Sequence, residues 1–416
     1  MSMKKKVPEI RFKGFSSNWE TYPLATFISS LDAGVSVNAG DRSANENEFG
    51  ILKTSCVTNG IFEPDENKVV FKKEEINRLK EPVLENTIII SRMNTPALVG
   101  ANAYISRGYA NYFLPDRLWA AKPTAIGDLK FIACILGSDK GRLALSDLAT
   151  GTSGSMKNIS KSAVLRLELR APEEKEQAQI GNFFQKLDAL INQHQQKYDK
   201  LSNIKKSMLE KMFPKEGETI PEIRFKGFRG EWVERSWSDT VDISTNMVDP
   251  RNCQYGELFH VGPGNIESFT GKFYNNVLKV KDSNLISGKF HFNKGDIIYG
   301  KINPQLAKYV IAPFEGLASA DAYVLNTKNG VIQNYLFAVL HTEDFYKYTV
   351  SVSSRTGMPK INRDELNVYS YMAPSESEQA QIGNYFQKLN ALLNLHQQQI
   401  TKFNNIKQAC LSKMFV

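Results

Sequence analysis

The sequence lacks long hydrophobic runs, paired cysteines and clustered histidines. No apolar stretch reaches the roughly 18 residues that a membrane span requires, so we expect a soluble chain. The basic start, MSMKKKVPEI, has no apolar segment behind it, which argues against a secretory signal. The cysteines lack CxxC or Cys/His ligand spacing, and they are Cys56, Cys134, Cys253 and Cys410. This scatter predicts buried thiols in a reducing cytoplasm, and neither disulfides nor a zinc site.

Catalytic signatures are also missing. The chain has no GxxxxGK[ST] phosphate loop, no HExxH and no (N/D)PP(F/Y) tetrapeptide of amino-methyltransferases. One loose match to the PD-(D/E)xK nucleases, in which acids hold Mg²⁺, combines Asp116 with Asp128 and Lys130. The second half does not reproduce this match around Asp321. A nuclease is therefore the less favoured alternative, and we expect no catalytic residues in this chain.

Positive charge, by contrast, is in excess. The chain holds 52 lysines and arginines against 44 acidic residues, a formal net charge of +8. Such a balance attracts polyanions, and nucleic acid is the commonest of these in a cytoplasm. The length of 416 residues suits two or three domains.

Two segments of the chain occur twice. The octet PEIRFKGF stands at 8–15 and again at 221–228. A long segment that begins EQAQIGN, at 176–213, returns in closely similar form at 378–415. Each half therefore has the same order of octet, variable region and near-identical segment, which indicates an internal repeat.

The near-identical segments have the pattern of helices. Their apolar residues recur in steps of four and three, which is typical of a coiled-coil seam. Two matching seams most simply pack on each other as an antiparallel spacer of roughly 60 Å, with the chain end beside the first octet. The predicted seam and partner-docking residues are Ile180, Phe184, Leu187, Ile191, His194 and Leu201 in the first helix, and Ile382, Phe386, Leu389, Leu393, His396 and Phe403 in the second.

Two histidines, His194 and His396, hold equivalent positions in this predicted seam. One interpretation makes them a metal pair or a pH switch. The favoured interpretation makes them polar residues that set the register of the two helices.

The variable regions share only short echoes. NTIIISRMN at 86–94 resembles GDIIYGKIN at 295–303, and GSMKNIS at 154–160 resembles TGMPKIN at 356–362. Short apolar runs bounded by turn residues predict mixed α/β domains. Basic and polar residues follow the predicted strands or lie in the loops, where Arg and Lys suit phosphates and guanine, and Asn suits adenine. The candidate DNA-binding residues are Arg92, Asn94, Lys157, Asn158, Lys301, Asn303, Arg355, Lys360, Asn362 and Arg363.

Two alternatives to DNA contact stay open for these residues. Such residues are also typical of ordinary solvated loops, and the asparagines among them are typical of residues that cap turns. The basic residues of the octets, which include Arg11 and Arg224, alternate with aromatics. Because the octets are identical, we expect them to dock each domain onto the helices and not to read sequence.

Taken as a set, these segments resemble the specificity subunit of type I restriction-modification enzymes over essentially the whole chain. The resemblance is carried by PEIRFKGF with its following Trp, by the APxExEQAQIG helix starts at 171–181 and 373–383, and by the two loop segments. It implies an α+β fold in which an antiparallel coiled coil of two long helices separates two mixed α/β target recognition domains, with pseudo-two-fold, near-circular topology. The implied domains are 1–172 with its docking segment 7–20, the helix 173–214, 215–374 with its docking segment 220–233, and the helix 375–416.

The resemblance also implies a function without catalysis. Each recognition domain would read one half of a bipartite, asymmetric double-stranded DNA target. Two methyltransferase subunits would carry S-adenosylmethionine, two motor-nuclease restriction subunits would use ATP and Mg²⁺, and this chain would hold no cofactor of its own. The main alternative is a stand-alone bivalent DNA-binding scaffold or transcription factor.

Overall fold

The computed structural model describes residues 7–58, 60–151, 156–354 and 357–415. The chain forms two compact units, the first of Met1–Gln195 with Gln398–Val416 and the second of Gln196–Gln397. Both units mix helices and sheets, which confirms the predicted α+β class. Within the described stretches, no helix combines the length and hydrophobicity that crossing a membrane requires.

Among its described residues, the first unit contains fourteen strands and four short α-helices besides the long ones. The strands are β1 Glu20–Pro23, β2 Ile28–Ala33, β3 Gly50–Leu52, β4 Val57–Thr58, β5 Ile61–Phe62, β6 Asn67–Val69, β7 Pro82–Val83, β8 Thr87–Ser91, β9 Met93–Asn94, β10 Asn102–Ile105, β11 Tyr109–Phe113, β12 Leu118–Pro123, β13 Lys157–Asn158 and β14 Glu168–Ala171. The short helices are α1 Lys73–Ile76, α2 Leu129–Gly137, α3 Asp139–Asp147 and α4 Lys161–Leu165.

The described part of the second unit contains eleven strands and four short α-helices. The strands are β15 Val233–Ser236, β16 Val241–Ile243, β17 Met247–Val248, β18 Phe259–Val261, β19 Leu278–Lys279, β20 Lys289–Phe292, β21 Ile297–Gly300, β22 Tyr309–Ile311, β23 Gly316–Ala318, β24 Ala322–Thr327 and β25 Ser370–Ala373. The short helices are α6 Trp237–Thr240, α7 Gln333–Val339, α8 Glu343–Ser353 and α9 Arg363–Val368.

The two units share one sheet topology although their sequences barely agree. A four-stranded antiparallel sheet has the order β10-β8-β12-β2 in the first unit and β22-β21-β24-β16 in the second. A second sheet in each unit contains one parallel pair, β3 with β11 and β18 with β23, flanked by antiparallel neighbours. The short echoes at 86–94 and 295–303 therefore mark equivalent strands, β8 and β21.

A central strand buried on both faces explains the run of β-branched residues in each echo. Ile88 and Ile90 of β8 face the core that includes α2 and the start of a long helix, whereas Ile89 faces the core beside the second sheet. In β21 the same alternation places Ile297 in one core and Ile298 in the other. Side chains of a strand point to opposite faces in turn, so a strand between two cores needs no polar face.

The two repeated segments form the long helices α5, Glu174–Lys211, and α10, Glu376–Lys413. In the first unit, Asp188 of α5 pairs with Lys407 of α10 at 2.6 Å, and the Phe184 ring lies 5.9 Å from the Phe415 ring just after α10. Lower numbers of one helix meet higher numbers of the other, so the helices are antiparallel there. In the second unit, Phe213 after α5 packs on Phe386 near the start of α10.

The predicted seam residues lie in the interior or at its edge. Their side chains are buried at Ile180, Phe184, Leu187, Ile382, Phe386, Leu389 and Leu393. They are partly buried at Ile191, His194, Leu201, His396 and Phe403. The His194 ring lies 5.6 Å from the Phe403 ring, an apolar contact that supports the interpretation of His194 as a structural residue.

Each octet docks onto a helix start through an arginine. Arg11 donates two hydrogen bonds to Glu176, at 2.7 and 2.6 Å, and Arg224 makes the same two-armed pair with Glu378, at 2.6 and 2.7 Å. Both glutamates are fully buried. The amides at residues 9 and 10 also donate to the Lys413 carbonyl, which brings the end of α10 to the first octet as the near-circular topology predicted.

Candidate nucleic-acid interface

In the first unit, two predicted DNA-binding segments lie side by side. The two-residue strands β9 and β13 pair antiparallel, with Asn94 opposite Lys157 and Met93 opposite Asn158. The Ile159 amide donates to the Arg92 carbonyl at 2.9 Å and extends the pairing. We call residues 92–94 with 157–159 the first basic strip.

The second unit repeats this frame. The Ile302 and Lys360 backbones form an isolated antiparallel bridge, and the Ile361 amide donates to the Lys301 carbonyl at 3.0 Å. The Asn303 amide donates to the Pro359 carbonyl at 2.8 Å. Residues 301–303 with 359–363 form the second basic strip. Segments more than 55 residues apart in the chain therefore meet in the same way in both units.

An aromatic ring supports the leading cation of each strip. The Arg92 guanidinium lies 5.7 Å from the centre of the Trp119 ring, and the Lys301 ammonium lies 5.3 Å from the centre of the Tyr323 ring. Such cation–π contacts hold a cation in place without neutralising it. The two rings stand at equivalent places near the starts of β12 and β24. Sequence analysis missed them, although an aromatic residue two positions after a charged loop residue was a usable signal in both halves.

Several polar atoms of the first strip have unused hydrogen-bonding capacity. Arg92 Nε and Asn158 Oδ1 are buried and have no hydrogen-bond partner among the described residues. The Lys157 ammonium donates to the Gly151 carbonyl at 3.0 Å and carries no ion pair within the described part of the chain. A phosphate is a suitable acceptor for the Arg92 and Lys157 donors, whereas the Asn158 oxygen needs a donor such as the amino group of a base.

The cations of the second strip crowd one another. Burial, followed by the charge of Lys360, lowers the pKa of Lys301, with a smaller contribution from Arg363 and partial compensation by Asp321. A surplus of cations beside a half-buried lysine favours an anion at this place, because the anion removes the repulsion. The phosphate backbone of nucleic acid has that charge.

Three of the predicted residues are engaged inside the protein. Asn94 is buried and donates to the Ser91 hydroxyl, while its side-chain oxygen accepts from the Thr95 amide. Asn362 caps helix α9 by accepting from the Glu365 amide. Arg363 donates to the Ile243 and Ser244 carbonyls at 2.8 and 2.7 Å. These side chains support the strips, and their contact with DNA remains a prediction. Arg355 lies outside the described residues.

The three residues of the nuclease alternative have structural contacts of their own. Asp128 is the N-cap of α2 and accepts from the amides of Lys130 and Phe131, while the Lys130 ammonium donates to Asn182. Asp116 instead accepts from the Ser36 hydroxyl. Each of the three residues thus has a separate structural contact. Among the described residues, no cluster of three or more His, Cys, Asp or Glu has the arrangement of a metal site.

Comparison with protein families gives one match that covers most of the chain. The model of the type I restriction modification DNA specificity domain matches residues 16–203 and, again, residues 230–405. The two matched ranges correspond to the two halves of the internal repeat.

Two curated relatives and one solved structure are similar to this chain. The specificity subunit of the Escherichia coli type I restriction enzyme EcoDI is 32% identical over 212 residues, which cover 49% of this chain and 46% of that protein. The corresponding EcoEI subunit, also from Escherichia coli, is 26% identical over 180 residues, covering 41% and 30%. The matches thus span less than half of either relative. The crystal structure of a type I restriction-modification S subunit from M. genitalium has a TM-score of 0.69 over 99% of both chains at 14% identity, which shows a shared fold.

Proposed function

We propose that this chain, which belongs to the type I restriction-modification DNA specificity family, reads a bipartite, asymmetric double-stranded DNA target. The first basic strip contacts one half of the target, and the second basic strip contacts the other. Because the two strips carry different side chains on one backbone frame, the two half-targets differ in sequence.

The observation that carries this proposal is that the same pairing of two distant loops occurs in both units, with a different cation at the start of each strip. An arginine over tryptophan leads one strip, and a lysine over tyrosine leads the other. Arginine suits two-pronged contact with guanine or phosphate, whereas lysine acts as a point charge. The frame fixes where each half of the target lies, and the side chains decide which bases fit.

The chain itself takes no catalytic part in this proposal. Methyl transfer belongs to two modification subunits that bind S-adenosylmethionine, and DNA cleavage belongs to two restriction subunits that use ATP and Mg²⁺. The repeated helices α5 and α10 are suited to hold two identical subunits, because near-identical sequences present near-identical surfaces. The separate contacts of Asp116, Asp128 and Lys130 are in keeping with this division of labour.

The test is an exchange of recognition domains. Residues 21–170 are replaced by the equivalent region of a relative with a different target, and the methylated sites in host DNA are mapped by single-molecule sequencing. We expect one half of the methylated sequence to change and the other half to stay. A change in both halves would contradict independent reading by the two units.

A matched exchange of 234–372 is the control and should change the opposite half. Co-purification separates this function from that of a stand-alone DNA-binding scaffold. A specificity subunit should bring down a methyltransferase with an (N/D)PP(F/Y) motif, whereas a scaffold should bind the same DNA without one.

A further inference from the structure

The first unit contains a cavity of about 900 Å³ between its recognition domain and both long helices. Its floor includes Tyr104 from β10, and Ala133 and Gly137 from α2. Asp188 of α5 and Lys407 of α10 line the helix side. An added side-chain carbon at Gly137 would meet no heavy atom within 4 Å, so the space beside it is open.

The second unit fills the corresponding space with its own side chains. The repeat places Phe337 at the position of Ala133 and His341 at that of Gly137, and the strand pairing places Tyr309 at that of Asn102. These three rings pack on one another, with centroids 4.6 Å apart for Tyr309 and His341, 4.8 Å for Phe337 and His341, and 5.8 Å for Tyr309 and Phe337. Gly271, equivalent to Gly60 at the cavity of the first unit, would clash with the Phe337 ring if it carried a side chain.

The cavity walls carry a surplus of positive charge. Five cationic side chains line it, against the two carboxylates of Asp139 and Asp188. Three of the cations have internal partners, since Lys407 pairs with Asp188, Lys130 donates to Asn182 and Arg142 donates to the Ala97 carbonyl. Lys140 has no ion pair among the described residues. The remaining cation is Arg107, which lies over the Tyr109 ring.

We propose that this cavity is a docking pocket for a segment of the modification subunit that presents an aromatic side chain next to acidic ones. The second unit indicates the aromatic group, because an aromatic ring of this chain fills the equivalent space there. The surplus of cations indicates the acidic neighbours, by charge complementarity. The two surfaces that hold modification subunits are then unequal, with a pocket on the first unit and a filled surface on the second.

This inference rests on the proposed function, since it assumes that modification subunits bind the helices. Its test transplants residues of the second unit into the first with Ala133→Phe and Gly137→His. The original and variant chains are each co-expressed with a candidate modification subunit of the host, and the masses of the complexes are measured by native mass spectrometry at several concentrations. We expect two modification subunits on the original chain, and weaker binding of one of them to the variant because the contacts made in the pocket are lost, with DNA binding retained.

A charge variant keeps the test valid if the double variant fails to fold. Lys140→Glu at the cavity should weaken binding of one modification subunit about tenfold, because it places a carboxylate beside acidic residues of the partner. Lys73→Glu is the matched control, an exposed lysine of helix α1 in the same unit that does not line the cavity. It should leave both affinities unchanged.

The possible failures are distinguishable. If the original chain binds no modification subunit, the proposed function is wrong. If the original and the double variant bind two with equal affinity, the pocket proposal is wrong and the proposed function stands. Binding of a fluorescent nucleotide that the double variant abolishes, with two modification subunits still bound, would show a small-molecule site instead. Cavity-dependent dimers of the chain alone would show that a second copy is the occupant.

Discussion

The two units are nearly identical where the octets dock onto the long helices, and they differ in the basic strips, which we propose to contact DNA. Arg11 with Glu176 and Arg224 with Glu378 make the same two-armed pair at the starts of α5 and α10. The basic strips keep one backbone frame but change its leading cation and the aromatic ring beneath it. A duplicated framework can therefore be retained while the contact residues diverge, because the backbone pairing of the strips does not depend on their side chains.

The largest predicted effect tests whether the framework is equivalent in the two units. Arg11→Ala leaves a fully buried carboxylate without its partner and should destabilise the first unit by about 3–5 kcal/mol. Hydrogen-exchange mass spectrometry, which reports local unfolding free energies, measures this on peptides of each unit. Arg224→Ala should cause a similar loss in the second unit. Losses that differ by more than about 2 kcal/mol would contradict the equivalence.

A smaller predicted effect tests the divergent strips. Lys301→Ala should weaken binding of the recognised DNA sequence about tenfold. It should also reduce the slope of log binding constant against log salt concentration by about one, as the loss of one phosphate contact does. Fluorescence anisotropy at several salt concentrations measures both quantities. Lys13→Ala, in the first octet, is the control and should change neither. An unchanged affinity for Lys301→Ala would remove the second strip from the interface.

Another difference between the units concerns one lysine of each helix pair. Lys407 pairs with Asp188 in the first unit, but the repeat places Asn390 where an acid partner for the equivalent Lys205 would stand. Burial, with a contribution from the nearby Lys272, lowers the pKa of Lys205 to about 8. The Lys205 charge in turn adds to burial in lowering the pKa of His341 to about 3, so this imidazole is neutral.

Stability should therefore depend on pH through Lys205. Between about pH 8 and the ordinary lysine pKa of 10.5, the unfolded chain holds a proton that the folded chain has released. The free energy of unfolding then rises with pH across this window. Lys205→Met should remove the rise and stabilise the second unit below pH 8, which hydrogen exchange or the melting temperature at several pH values measures. If the free energy of unfolding still rises with pH in the variant, Lys205 is not the source of the pH dependence.

The matched change in the first unit should have the smallest effect. Lys407→Met breaks the ion pair with Asp188, whose side chain is 42% exposed, and should destabilise the first unit by less than about 1 kcal/mol. Thermal unfolding at neutral pH measures this loss. Stabilisation by Lys407→Met, as expected for Lys205→Met, would mean that the two lysines are in equivalent environments.

Sequence patterns predicted the framework because it is repeated and periodic. The step of four and three along Ile180, Phe184 and Leu187 identified a buried helix face, and the octet predicted its own docking. The pairing of residues 92–94 with 157–159 could only be proposed as two separate loops, since strands of two residues have no periodicity. The engagement of Asn94 and Arg363 inside the protein depends on tertiary contacts that the sequence does not encode locally. The cavity was equally hidden, because an alanine and a glycine on α2 give no signal until the repeat is aligned in space.

The central claim is that one chain joins two unlike DNA-reading units. Single-molecule sequencing of methylated DNA from the host, with and without the gene for this chain, tests it most directly. We predict that the gene adds one methylated sequence made of two different short elements separated by a stretch of unspecified bases. A contiguous or palindromic methylated sequence, or no change in methylation, would contradict it.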